Sequence, residues 1–165
     1  MVNILIVDDD AKKIQEIKRV LEPKLTDNVN LIVANCINSA KQELKKKNFD
    51  IMILDIYLPQ TFGENPQQDG GMRLLKMIKD SKFYSYPRYV ISISKYEQST
   101  TNFRSSEGKI HTAIFYNEDT NEWENKLSSC VEAAISIVEN TIVHRLYNYD
   151  VAVICALEEE AEMIK

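Results

Sequence analysis

The sequence predicts an α/β domain with a doubly wound parallel sheet. Two observations predict it: short apolar runs alternate with segments of helical periodicity along most of the chain, and the first three runs are apolar on both faces, as strands covered by helices on both sides are. Parallel strands need crossover connections, which are right-handed, so five runs with intervening helices give one sheet with helices on both faces.

The first strand is "NILIV" (Asn3 to Val7), and Ile14, Ile17 and Leu21 mark the apolar face of the helix after it, stopped by Pro23. "NLIVA" (Asn30 to Ala34) is the second strand. Ile37, Ala40 and Leu44 mark the second helix, with Asn38 or Ser39 placed to cap it. The third strand, "DIMIL" (Asp50 to Leu54), is followed by a long irregular stretch, "QTFGENPQQDGG" (Gln60 to Gly71), and by a helix marked by Leu74, Leu75 and Ile78. Connections of that length are usually functional or mobile. "YVISI" (Tyr89 to Ile93) and "HTAIFY" (His111 to Tyr116) are the last two strands; the polar stretch between them, Lys95 to Lys109, holds the weakest helix signal. From Asp119 or Thr120 a final helix carries Trp123, Leu127, Val131, Ile135, Val138, Ile142 and Leu146 at three- and four-residue spacing. About 25 residues at 1.5 Å each make a helix of nearly 40 Å, so its far half is expected to project and pair with a second copy as a homodimer or lead into another domain.

Composition bounds what such a domain does. With 165 residues, 44% of them apolar, the chain has room for one proper core. A net charge of -5 leaves no broad basic surface, so no direct nucleic acid contact and no membrane attachment is predicted; Lys45 to Lys47 read as solvated charges complementing a helix end. The chain opens without a basic and apolar leader, which predicts a cytoplasmic location. Cys36, Cys130 and Cys155 have no paired spacing and are expected as reduced thiols, and two histidines, His111 and His144, make a histidine-rich metal site improbable.

The chemistry sits in carboxylates. "ILIVDDD" drives a buried strand into Asp8, Asp9 and Asp10, and "IMILDIYLP" ends the third strand at Asp55. In open α/β sheets ligands bind beyond the carboxyl ends of strands where chain order reverses. With a spatial order 2-1-3-4-5, the first and third strands are neighbours there, and Asp8, Asp9 and Asp55 converge. An oxygen-only set of this kind suits Mg2+, which offsets mutual repulsion and leaves Asp55 placed to attack phosphorus. Ser94, closing "YVISIS", supplies a hydroxyl donor at the end of the fourth strand. Asp10 is expected as an exposed helix-start residue.

"ILIVDDD", "FDIMILDIYLP" and "YVISIS", in this order and near these spacings, resemble the blocks of the receiver domain of bacterial two-component response regulators, over about Met1 to Leu146. The resemblance implies a flavodoxin-like fold, Asp8 and Asp9 as the magnesium-binding pair, Asp55 as phosphoacceptor and fellow ligand, and a metal contact from the backbone carbonyl of Tyr57. It also implies that Ser94 is the switch hydroxyl that repositions the face of the fourth helix and fifth strand. The phosphodonor would be a histidine kinase or phosphotransfer protein, and the domain would signal without turning over a metabolite. Two departures stand out. The lysine that receivers keep at the end of the fifth strand is replaced in "AIFYNED" by Tyr116 or Asn117, with Lys95 placed to reach over the site instead, and the loop after Pro59 is lengthened. The missing lysine opens a rival in which the chain is a phosphorylation-independent pseudo-receiver acting as a protein-interaction module. A haloacid-dehalogenase-type phosphohydrolase is a second rival, weakened by Tyr57 where that group keeps a second aspartate after Asp55 and by Lys12 in "DDDAK".

Beyond the final helix, "YDVAVICALEEEAEMIK" (Tyr149 to Lys165) resembles the opening of the nucleoside phosphorylase and nucleosidase superfamily. The expected organisation is a receiver over 1–146 and, over 147–165, a linker and the first strand of a truncated second domain. That domain would be the receiver's own C-terminal output.

Overall fold

Strand formation follows the apolar runs. In a computed structural model, which describes residues 1–96 and 111–141, β1 (Val2–Val7), β2 (Val29–Ala34), β3 (Ile51–Leu54), β4 (Tyr89–Ser94) and β5 (His111–Phe115) form one sheet, order β2-β1-β3-β4-β5. Every pairing is parallel, and Ile4 to Val7 of β1 lie opposite both β2 and Ile51 to Leu54 of β3. This is the doubly wound α/β architecture, flavodoxin-like in strand order.

Alternation along β1 and β3 sorts side chains to two faces. Ile4, Ile6, Ile51 and Ile53 lie on one face, buried under Ile17 and Leu21 of α1 (Ala11–Leu21) and under Trp123, Leu127, Val131, Ala134 and Val138 of the C-terminal helix, 122–141. Leu5, Val7, Met52 and Leu54 face the other way, onto Ile37, Ala40 and Leu44 of α2 (Ile37–Lys46) and Leu74, Leu75 and Ile78 of α3 (Gly70–Asp80). β1 and β3 are covered on both faces, whereas β2, at the sheet edge, is mostly half-buried.

Three local expectations are corrected. The cap of α2 is Cys36, whose sulfur accepts the Ser39 N–H while Ser39 Oγ accepts the Cys36 N–H, so Ser39 is the third residue of the helix and not its cap. Gly70 and Gly71 open α3 and do not end the preceding loop. That loop is tied down, because the N–H groups of Ile37 and Asn38 at the start of α2 donate to the carbonyls of Pro59 and Gln60. Finally, the C-terminal helix lies on the sheet as far as Val138, which is fully buried, so residues 122–138 do not project; Ile142, Leu146, His144, Cys155 and the segment 147–165 lie outside the described residues, as does most of Lys95 to Lys109. Among the described residues no helix is long and apolar enough to cross a membrane.

Candidate phosphoacceptor site

The pairing of β1 with β3 brings the acids together. Asp8 N–H extends the ladder to β2 by donating to Ala34 O at 3.0 Å, and Asp55 N–H donates to Val7 O at 2.9 Å, so both carboxylates leave adjacent strand ends. One carboxylate oxygen from each of Asp8, Asp9 and Asp55 lies within 4.8 Å of the others. Asp8 is buried, Asp55 is 8% exposed and Asp9 is half-buried. Burial raises the Asp8 carboxyl to about 6, with Lys13 opposing and the Asp55 charge adding to the rise. Burial also lifts Asp9 above the ordinary carboxylate value.

The site's cation was not anticipated from the sequence. Lys13, in the first turn of α1, is fully buried, and its Nζ donates to Asp55 Oδ2 at 2.7 Å and Ile93 O at 2.8 Å and lies 2.7 Å from Asp8 Oδ2. Two hydrogen bonds and a second carboxylate at ion-pair distance thus surround the ammonium, which is how a buried charge is offset. Asp10 sets the geometry: its Oδ1 accepts the N–H groups of Lys12 and Lys13 as the α1 cap, and its own N–H donates to Asp8 Oδ1. Asp10 is therefore the helix-start residue expected of it. The signal for Lys13 was its place in the stripe Lys13, Ile17, Leu21, four residues apart and all buried.

Lys95 does not reach over the site. Its Nζ pairs with Asp10 Oδ2 and Glu118 Oε1, both at 2.9 Å, on an exposed rim where Lys12 also pairs with Glu118. The rim carboxylates hold the Lys95 ammonium well above its ordinary pKa. Asn117 is turned away as well, its Oδ1 accepting Asp119 N–H. Tyr116 is buried, donates to Glu16 Oε2 at 2.5 Å and presents its ring 5.6 Å from Lys13 Nζ.

Ser94 ends β4, beside β3, fully buried, with Oγ accepting Tyr96 N–H at 3.4 Å. Tyr57 N–H donates to Asp55 Oδ1 at 3.1 Å, and the Tyr57 ring stacks on Tyr96 at 4.0 Å between centroids. Gly71 closes the wall behind Asp55: a Cβ there would stand 2.2 Å from Asp55 O, so only glycine lets α3 approach.

The response regulator receiver domain family matches residues 4–122 of the chain. The chain belongs to that family. Among curated proteins, y4jS of Sinorhizobium fredii is 38% identical over 91 residues, 55% of this chain, which spans about a fifth (22%) of that relative's length. Two response regulators illustrate the solved structures that share the fold. One is the phosphorylated cyanobacterial phytochrome response regulator RcpA (TM-score 0.63, 18% identity, covering 82% of this chain and 95% of that one). The other is the response regulator TrrA of Thermotoga maritima in complex with Mg2+-BeF (TM-score 0.51, 22% identity, 77% and 99%). This receiver is thus a signalling domain of the two-component type. Receivers bind Mg2+ at an acidic pocket, and the all-oxygen donor set of Asp8, Asp9 and Asp55 fits that ion.

Proposed function

We propose that this receiver accepts a phosphoryl group on Asp55 from a histidine kinase or phosphotransfer protein, in a magnesium-dependent reaction, and signals to residues C-terminal to it. The carrying observation is the convergence of Asp8, Asp9 and Asp55 within 4.8 Å at the reversal point of the sheet. Asp8, Asp9, Asp55 and the Tyr57 carbonyl would hold Mg2+, which when bound offsets the carboxylate charges and draws electron density from the phosphoryl oxygens. An Asp55 carboxylate oxygen attacks phosphorus; the new O–P bond forms as the donor's P–O or P–N bond breaks, and that electron pair leaves with the donor. The Tyr57 N–H holds Asp55 Oδ1 in place, and the Ser94 hydroxyl turns toward the phosphoryl oxygens, altering the end of β4 and so the contacts of the domain. The output would be the segment resembling a nucleoside phosphorylase opening, and the domain would work in the cytoplasm.

The buried Lys13 weakens the pseudo-receiver alternative, because that alternative drew its support from the lack of an ammonium at the site. Intact mass after incubation with Mg2+ and a small acyl phosphate tests the role. One phosphoryl group is expected on wild type and none on Asp55→Asn; no gain on wild type that binds Mg2+ would put the pseudo-receiver reading first.

A further inference from the structure

Given the phosphoacceptor role proposed above, on which this rests, we propose that Lys13, delivered from α1, is the catalytic ammonium that pairs with the phosphoryl group on Asp55, a duty that no residue of β5 performs here. Among the described residues, the lysines near the pocket are Lys12, Lys13 and Lys95, and both others are committed to the rim. Lys13 already touches the oxygen pair where reaction occurs, at 2.7 Å from Asp55 Oδ2. Just after β5, Tyr116 lays its ring beside that ammonium, so β5 ends in an aromatic side chain and not a cation.

Charge balance favours the same assignment. Three ionised carboxylates with one ammonium carry two net negative charges, which a divalent cation cancels. When an Asp55 oxygen becomes the bridging oxygen of an acyl phosphate, its single negative charge is replaced by about two on the phosphoryl group. Lys13 then loses one carboxylate partner and gains phosphoryl oxygens on the same atom's far side, with Asp8 Oδ2 and Ile93 O still anchoring the stem. No proton moves: the ammonium acts by charge and hydrogen bonding to oxygens that gain charge during transfer.

The test compares wild type and Lys13→Gln for the rate of mass gain with Mg2+ and an acyl phosphate, circular dichroism monitoring the fold. The rate is expected to fall on the order of a hundredfold, Mg2+ binding by Lys13→Gln is expected to tighten as a competing cation leaves, and Asn117→Lys in that background is expected to recover part of the rate. A second measurement needs no folded variant: in wild type labelled with 15N-lysine, the solvent-protected ammonium resonance of Lys13 is expected to shift when Mg2+ and beryllofluoride, a phosphoryl mimic, are added. An equal rate in folded Lys13→Gln, or no shift of that resonance while wild type accepts phosphate, overturns the role of Lys13 and leaves Asp55 as acceptor. No phosphoryl gain by wild type overturns both.

Discussion

Two clusters of acid and lysine lie side by side at the top of this sheet, and they differ in burial more than in chemistry. Within the pocket, Lys13 is sealed between Asp8, Asp55 and a carbonyl, its side chain 0% exposed. On the rim, Lys12 and Lys95 meet Asp10 and Glu118 at similar distances with 41% or more of each lysine side chain in water. Screening makes exposed pairs worth little, whereas a buried charge whose partner is removed keeps its desolvation cost. The pocket is therefore where charge has consequences, and the rim frames it.

The sharpest way to break the contrast is to remove a pocket carboxylate. Asp8→Leu leaves Lys13 bonded to Asp55 and Ile93 O and is expected to abolish Mg2+ binding measured by calorimetry. Next comes the wall: Gly71→Ala forces a Cβ into Asp55 O and is expected to cost about 2–3 kcal/mol, with reduced phosphoryl acceptance because Asp55 is displaced. A smaller effect is pH dependence. The Asp8 carboxyl is raised from 3.8 to about 6, so between those values the folded chain binds more protons than the unfolded one. Stability of the metal-free protein attributable to Asp8 thus falls as pH rises from about 4 to about 6 and is flat above. Urea midpoints in a chelator should show that decline, and Asp8→Asn should lose it. At the bottom, Lys95→Ala is expected to change stability by at most about 1 kcal/mol, with phosphoryl acceptance nearly unchanged; a large loss of acceptance would show that the rim takes part in the chemistry.

The same contrast explains what could be read from the chain. Strands such as "ILIV" and "IMIL" declare themselves because burial on both faces leaves a local apolar signature, and Asp8, Asp9, Asp55 and Ser94 follow as the residues at their ends. Lys13 did not declare itself. Its burial depends on Asp55, 42 residues away, and Ile93, 80 away, and a lysine in an amphipathic helix ordinarily belongs to the wet face. Lys95 was expected over the site from its place beside Ser94, but Asp10 and Glu118, brought together only by the fold, hold it outside. The length of the last helix pointed to projection, yet the stripe from Trp123 to Val138 finds cover along β1, β3 and β4.

The measurement that tests the central claim most directly is the location of the adduct. Wild type treated with Mg2+ and an acyl phosphate, then reduced with borohydride, should convert an acyl-phosphorylated aspartate to homoserine. The tryptic peptide between Lys47 and Arg73 should carry that change at Asp55 and not at Asp50 or Asp69. Homoserine at another aspartate, or an unmodified peptide from protein that binds Mg2+, would contradict the account.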